Sequence, residues 1–320
     1  MSCLVHQTRQ FARNLAAKLI KAFFGYFFLE KSNTLYLTNF SINPNLYTKQ
    51  GAFMRLHFIK MQGTGNDYIF FDCLESGLEE PQRIAKMLSK RRFSVGADGI
   101  VMICRSEIAD VKMRIFNADG SEAKMCGNAA RCVAKLVYEC NFVHKSRIKI
   151  ETESGIRDVF LTVKNGKIEK ITVDMGVACA KGVFVLEAGG EKFEMREIDM
   201  GNPHQVTFLP DVDYLDLNKI GYTCEKNPRF EGGVNTEFCE ILAKNHLKVR
   251  VFERGSGETL ACGTGACASV VAAIQSGLCD IGKPVKVSMR GGDLSVLCDE
   301  NFHIYLTGDA HVTFQGDVEL

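Results

Sequence analysis

Two cysteines stand at matching places in the chain, each between a strand-like run and a helix-like run. Cys126 follows Phe116-Asn-Ala-Asp-Gly-Ser-Glu-Ala-Lys-Met, and Cys262 follows Phe252-Glu-Arg-Gly-Ser-Gly-Glu-Thr-Leu-Ala; a glycine comes next in both cases. A thiol at a helix N-terminus lies near unpaired N–H groups and the positive end of the helix dipole, which stabilise a thiolate. We therefore expect both cysteines to be reactive, with pKa values below the usual value of about 8.5.

The same two helix starts could also bind a carboxylate. Free N–H groups at a helix N-terminus bind anions, so an amino-acid substrate can dock there with its α-carbon against the sulfur. Removal of the α-proton leaves a carbanion whose charge spreads into the carboxylate, and the N–H donors then stabilise the transition state. One cysteine would act as thiolate base and the other as thiol acid on the opposite face, so the pattern predicts inversion of an α-carbon.

The other cysteines of the body have no such setting. The chain has thirteen cysteines, an odd number, without the spacings of disulfide or metal sites, which is typical of a reducing compartment. A thiol-redox or zinc-binding protein is the alternative from another class, but no Cys-x-x-Cys motif supports it. We expect the remaining cysteines after Met54 to be small apolar residues of the core: Cys73, Cys104, Cys132, Cys140, Cys179, Cys224, Cys239, Cys267, Cys279 and Cys298.

The two cysteines belong to an internal repeat with an offset of 136 residues. One ungapped shift places Gly65-Asn66 on Gly201-Asn202, Gly96 on Gly232, Lys112, Arg114 and Phe116 on Lys248, Arg250 and Phe252, and Glu122, Cys126, Gly127 and Ala130 on Glu258, Cys262, Gly263 and Ala266. The repeat predicts two equivalent lobes, residues 54–174 and 175–306, with the last strand, about 307–320, returning to the first lobe. A cleft between lobes is a preferred ligand site.

Short β-rich runs recur along the body, with few helices between them. The strands are expected at Leu56–Met61, Ile100–Cys104, Val111–Phe116, Arg147–Thr152, Val159–Val163, Ile168–Val173, Lys248–Phe252 and Val285–Met289. The helices are expected from Pro81 to about Arg92, from Gly127 to Glu139 and from Gly263 to Ser276, with Gly277 ending the last. These elements predict an α+β fold of two pseudo-symmetric lobes, each a curved mixed sheet or barrel around a central helix.

Composition and charge exclude several classes of function. With 46% hydrophobic residues and a formal net charge of +1, the 320-residue chain is an ordinary globular protein without a basic field for nucleic acid. Residues 1–53 differ, with six basic residues and one acidic residue. Their apolar run is far shorter than the roughly 20 residues of a membrane span. We interpret this extension as a targeting segment, a start codon placed too far upstream, or a real appendage.

At these residues the sequence resembles the diaminopimelate epimerase family. The first motif is Asn117-Ala-Asp-Gly-Ser121, four residues, then Cys126-Gly-Asn-Ala-Ala-Arg131. Further motifs run from Met54 to nearly the end of the chain: Gly63-Thr-Gly-Asn-Asp67, Gly96-Ala-Asp-Gly99, Met200-Gly-Asn-Pro-His204, Val234-Asn235, Glu253-Arg-Gly-Ser-Gly-Glu-Thr259 and Cys262-Gly-Thr264. The resemblance therefore covers the whole body and is highly specific.

The resemblance implies conversion of LL-2,6-diaminopimelate to the meso form, on the lysine and peptidoglycan precursor route, without cofactor or metal. It implies a cytoplasmic homodimer with a small-molecule substrate and neither nucleic acid nor membrane as partner; a transit peptide at residues 1–53 would direct it to an organelle instead. It implies that the catalytic residues are Cys126 and Cys262, that His204 and Glu253 orient the thiols, and that the substrate is held by Asn66, Asn117, Gly127, Asn128, Asn202, Asn235, Glu253, Arg254, Gly263 and Thr264.

Two positions depart from the family pattern, and two other functions stay open. Gly99 stands where some members carry glutamine, and Gln205 follows His204 where an apolar residue or cysteine is expected. A proline or hydroxyproline racemase resembles this chain in its paired cysteines, but Arg254 and the asparagines suit a substrate with a second charged end. A non-catalytic ligand-binding protein on the same scaffold is the other alternative.

Overall fold

The fold is α+β, with eighteen strands and four helices in residues 55–320, the part that the computed structural model describes; the extension of residues 1–53 lies outside it. The strands are β1 Arg55–Gly63, β2 Asn66–Cys73, β3 Gly99–Cys104, β4 Val111–Asn117, β5 Glu122–Ala123, β6 Arg147–Thr152, β7 Gly155–Lys164, β8 Lys167–Val177, β9 Cys179–Ala188, β10 Glu191–Asp199, β11 Pro203–Phe208, β12 Asn235–Ala243, β13 His246–Glu253, β14 Gly257–Thr259, β15 Val285–Met289, β16 Gly292–Cys298, β17 His303–Gly308 and β18 His311–Glu319. The helices are α1 Pro81–Leu88, α2 Gly127–Glu139, α3 Leu217–Glu225 and α4 Gly263–Gln275.

The strands form one continuous hydrogen-bonded ribbon. Its order is β18-β1-β2-β3-β4-β6-β7-β8-β17-β16-β15-β13-β12-β11-β10-β9, with β5 added to β4 and β14 to β13. The pairs β2–β3, β4–β6, β11–β12 and β13–β15 are parallel, and all other pairs are antiparallel. Since β18 pairs with β1 along almost its whole length, the end of the chain lies beside its described beginning.

The two halves of the ribbon repeat each other at the offset found in the sequence. A shift of 136 residues carries β1 onto β10 and α2 onto α4 with the same bounds, and α1 onto α3 within one residue. The ion pairs Arg114–Glu122 and Arg250–Glu258 also occupy equivalent places. The predicted two-lobed α+β fold is confirmed, whereas the boundary between residues 174 and 175 stays a prediction.

The two central helices are buried because their residues are small and apolar. In α4 every residue from Gly265 to Ala273 is buried, and most of them are Ala, Val, Gly or Cys, so the helix can be enclosed on all sides. Helix α2 is buried from Gly127 to Ala134, including Arg131, which is fully inaccessible. One hydrophobic core contains residues of both helices and of both halves of the ribbon.

Helix α1 corrects one predicted boundary, and α3 was missed. Helix α1 ends at Leu88, not near Arg92, because the chain turns back there: the N–H of Gly96 donates to the Leu88 carbonyl at 2.8 Å, and Arg92 has a φ of 72°. Helix α3 carries no strong apolar periodicity and begins at the capping residue Asp216, whose carboxylate accepts the N–H of Asn218. Its place as the repeat of α1 is the signal that could have found it.

Candidate active site

The two paired cysteines are the N-cap residues of the two central helices. Cys126 caps α2 with a φ of −144°, and Cys262 caps α4 with a φ of −126°. In each, the cysteine carbonyl accepts the first helical hydrogen bond, at 2.9 Å from Ala130 and from Ala266. The Gly265 N–H also donates to the Cys262 sulfur at 3.4 Å. The sequence prediction for these two helix starts is therefore correct in its geometry.

The two helix starts lie against the same small space. A Cβ atom added to Gly127 would lie 3.3 Å from Leu306 Cδ2, and one added to Gly263 would lie 3.1 Å from the same atom. The Asn128 Oδ1 atom lies 3.8 Å from that point on Gly263. The structure thus brings the Gly127-Asn128 and Gly263-Thr264 segments together, as a shared carboxylate site requires.

Asn66 and Tyr68 surround the Cys126 sulfur. The thiol contacts Asn66 Oδ1 at 3.4 Å, and the Tyr68 hydroxyl contacts the sulfur at 3.8 Å. Asn128 also donates to Asn66 Oδ1, and Asn66 donates to Asp98 Oδ2 at 2.7 Å, which fixes the amide. Tyr68 was not predicted from the sequence, although it is the repeat equivalent of His204.

A chain of polar contacts leads from the Cys262 sulfur to two buried residues. The sulfur lies 3.4 Å from Thr264 Oγ1, and Asn202 Nδ2 lies 3.4 Å from the same oxygen. His204 contacts Asn202 Oδ1 through Nε2 at 3.2 Å and Glu237 Oε1 through Nδ1 at 2.8 Å. His204 is thus linked to the thiol through Asn202 and Thr264. Glu237 was not predicted; the alternation along β12 indicated only that it would be buried.

The pKa values of both thiols differ from the prediction. Burial raises the pKa of Cys126, although the N–H groups of Ala129 and Asn128 and the Tyr68 hydroxyl act in the opposite direction. Burial raises the pKa of Cys262 well above its usual value, and the charges of Glu253 and Glu237 raise it further. The expected lowering of both pKa values is therefore wrong for these positions, because desolvation outweighs the helix N-terminus.

The residues expected at the distal end of a substrate lie beyond the thiols, at the ends of β4 and β13. Glu253 accepts a hydrogen bond from the Thr259 hydroxyl, and burial raises its pKa. Asn235 Oδ1 accepts the Arg254 N–H at 2.9 Å, so this amide shapes the turn that presents Arg254. Asn117 donates to Ser121 Oγ at 3.0 Å within its own turn.

Arg254 has an exposed side chain, and no ion pair is recorded for it among residues 55–320. The same part of the chain contains no group of three or more His, Cys, Asp or Glu residues that could hold a metal ion. None of its helices is both long enough and apolar enough to cross a membrane.

Comparisons with known proteins agree with this architecture. The family model described as diaminopimelate epimerase matches residues 58–180 and 197–313. A diaminopimelate epimerase of Acetivibrio thermocellus is 45% identical over 279 residues, which cover 83% of this chain and 99% of that protein. One from Methanococcus maripaludis is 43% identical over 279 residues, which cover 83% of this chain and all of that protein.

More distant solved structures share the fold. A phenazine biosynthesis protein of the PhzF family from Bacillus anthracis has a TM-score of 0.66 at 19% identity, covering 82% of this chain and 99% of that chain. A probable proline racemase from Agrobacterium radiobacter has a TM-score of 0.63 at 15% identity, covering 82% and 92%. At these identities the likeness shows the fold alone. The family match and the relatives at more than 40% identity show that the chain belongs to the diaminopimelate epimerase family.

Proposed function

We propose that the protein is an isomerase that converts LL-2,6-diaminopimelate to meso-diaminopimelate by proton transfer at one α-carbon. The observation that carries the proposal is the placement of Cys126 and Cys262 as N-caps of two equivalent helices that start beside the same space. Family membership and the relatives named diaminopimelate epimerase support the same substrate. The reaction belongs to the synthesis of lysine and of peptidoglycan precursors.

The proposed reaction uses the two sulfurs on opposite faces of the substrate. The Gly127-Asn128 and Gly263-Thr264 segments hold the reacting carboxylate, so the α-carbon lies between the thiols. One thiolate removes the α-proton, and the main-chain donors stabilise the charge that moves into the carboxylate. The other thiol donates its proton to the opposite face, which inverts the carbon. The raised thiol pKa values favour one thiolate and one thiol over two thiolates.

The other end of diaminopimelate carries a second ammonium and a second carboxylate. We propose that the Arg254 guanidinium binds the distal carboxylate through two parallel hydrogen bonds, and that Glu253 pairs with an ammonium group. Asn66, Asn117, Asn202 and Asn235 offer the remaining donors and acceptors. An exposed arginine without an ion pair favours this substrate over proline, which lacks a second carboxylate.

Turnover of defined substrates tests the proposal. The protein is incubated with LL-diaminopimelate, L-proline or trans-4-hydroxy-L-proline in the presence of a thiol reductant, and the stereoisomers are separated by chiral chromatography. We expect the meso product from LL-diaminopimelate and none in Cys126→Ala or Cys262→Ala. Inversion of the proline substrates instead would assign the protein to the racemases, and no inversion of any of them would favour a non-catalytic binding protein.

We further propose that the enzyme acts in the cytoplasm as a homodimer. Both statements rest on the family resemblance, and sedimentation equilibrium of the purified full chain tests the second. A mass of one chain at micromolar concentration would contradict it.

A further inference from the structure

The strongest feature outside the proposed mechanism is a buried carboxyl group near the second thiol. Glu237 lies on β12, and its side chain and that of His204 have no exposed surface. Glu237 Oε1 meets His204 Nδ1 at 2.8 Å, whereas Oε2 is buried and has no hydrogen-bond partner within residues 55–320. Leaving a buried polar atom unpaired costs about 1–3 kcal/mol, more for a charged group, so the placement calls for an explanation.

The first turn of α4 brings this carboxyl group close to Cys262. A Cβ atom added to Gly265 would lie 2.6 Å from Glu237 Oε1 and 3.2 Å from Cys262 Cβ, so both side chains contact the same glycine. After burial and Glu253, the charge of Glu237 is the next cause that raises the pKa of Cys262. The titratable groups around this thiol are Glu253 from β13, Glu237 from β12 and His204 from β11.

Cys126 has no equivalent acid. The repeat equivalent of Glu237 is Val101, and that of His204 is Tyr68, whose hydroxyl lowers the pKa of Cys126. The fully buried Arg131 lies in α2, close enough to Cys126 for their charges to interact. The two sulfurs therefore differ in electrostatic surroundings, although their backbone settings are equivalent.

We propose that Glu237 is a positioning residue that fixes His204 through Nδ1 and keeps the proton on the Cys262 sulfur in the free enzyme, so that Cys126 is the resting thiolate. This inference rests on the proposed function, because it assigns resting roles to a pair of cysteines that share one proton. During turnover the Cys126 thiolate takes the α-proton and the Cys262 thiol gives its own to the carbanion. The enzyme is reset when Cys126 loses its proton to solvent and Cys262 regains one, and Glu237 favours that direction.

The hydrogen bonds explain how the carboxylate acts through the histidine. A carboxylate accepts the proton of Nδ1, which leaves Nε2 to meet the amide of Asn202. Asn202 contacts Thr264 Oγ1, and this oxygen contacts the Cys262 sulfur. Glu237 thus fixes the ring, the ring fixes the amide, and the amide holds the hydroxyl beside the thiol.

Alkylation of the two cysteines as a function of pH tests this role. Full-length wild-type protein and Glu237→Gln are treated with iodoacetamide between pH 5 and 10, and the rate at each cysteine is measured by peptide mass spectrometry. Glutamine keeps the shape and removes the charge. We expect the pH midpoint for Cys262 to move to lower pH in Glu237→Gln and that for Cys126 to stay in place, while kcat falls about 10- to 100-fold, the loss typical of residues that orient a reacting group.

Two further variants separate positioning from stability. Glu237→Asp keeps the charge and should leave the Cys262 midpoint nearer to that of the wild type than glutamine does. Thr236→Val is the matched control, because this buried neighbour on β12 binds Gln205 and not His204. It should lower stability without moving either midpoint.

A second readout covers slow alkylation. In the pH profile of kcat/KM for LL-diaminopimelate, deprotonation of the Cys262 thiol gives the basic limb, which should move to lower pH in Glu237→Gln. An unchanged Cys262 midpoint with an unchanged basic limb would overturn the proposal, and so would equal shifts at both cysteines. The alkylation midpoints need no substrate, so their failure is distinct from a failure of the wild-type protein to epimerise diaminopimelate.

Discussion

At the scale of single residues, the chemistry depends on a few polar contacts around two buried sulfurs. Asn66 and Tyr68 contact Cys126, and Thr264 contacts Cys262. The sequence motifs predicted most of these residues, because cysteine followed by glycine at a helix start is a specific pattern. They could not predict the balance of pKa effects, since desolvation depends on the packing of distant segments around each thiol.

Replacing Tyr68 by Phe should make the Cys126 thiolate harder to form. Burial raises the pKa of Tyr68 well above its usual value, so its hydroxyl stays protonated and donates to the sulfur, which lowers the pKa of Cys126. Without the hydroxyl that pKa is higher, and the acid limb of the kcat/KM profile should move to higher pH, with about a tenfold loss at neutral pH. An acid limb at the wild-type position in Tyr68→Phe would show that the hydroxyl does not act on this thiol.

Arg254→Lys should weaken binding of the distal carboxylate while keeping the charge. A lysine cannot form the paired hydrogen bonds of a guanidinium, so kcat/KM for LL-diaminopimelate should fall about 10- to 100-fold. Arg229→Lys is the control, because this half-exposed arginine pairs with Glu197 and should change kcat/KM less than twofold. Equal effects of the two substitutions would argue against a role for Arg254 in substrate binding.

At the scale of elements, the internal repeat was the most informative feature of the sequence. It predicted the two equivalent helices, and the same offset would also have identified α3 as the partner of α1 and Tyr68 as the partner of His204. Most strand positions followed from alternation of apolar residues. The early end of α1 could not be predicted, since it depends on hydrogen bonds to the returning chain at Gly96.

The first turn of α4 requires a glycine that the first turn of α2 does not. Position 265 is repeat-equivalent to Ala129, and a Cβ there would lie 2.6 Å from the buried Glu237 carboxylate. Helix propensity alone predicts that Gly265→Ala stabilises the protein by about 1 kcal/mol. We expect a net loss of about 1–3 kcal/mol in the free energy of unfolding because of the clash, measured by urea denaturation, together with lower activity. A stabilised Gly265→Ala protein would show that Glu237 is free to move.

At the scale of the whole molecule, the ribbon of strands closes each lobe around its helix and places the two helix starts together. The last strand, β18, completes the first lobe by pairing with β1, so residues at opposite ends of the described chain depend on each other. Fold class and lobe equivalence were predictable because the repeat spans the body. The order of strands was not, since pairings such as β8–β17 join segments far apart in sequence.

Deleting the residues after Asp309 should therefore destabilise the protein although no proposed site residue is removed. The deletion leaves β1 without its partner and exposes Phe58, which is buried beside Phe314. Since each net backbone hydrogen bond contributes about 1 kcal/mol, we expect a loss of several kcal/mol in the free energy of unfolding. A urea midpoint equal to that of the full chain would contradict this dependence.

The most direct test of the central claim, inversion by two sulfurs on opposite faces, is early deuterium incorporation. LL-diaminopimelate is converted in deuterated buffer with reductant, and the substrate and product pools are analysed by NMR and mass spectrometry at low conversion. If Cys126 takes the proton and Cys262 delivers another, the meso product should carry deuterium at one α-carbon while the remaining LL substrate carries almost none. Equal labelling of both pools from the start would show that one exchanging base serves both faces and would contradict the account.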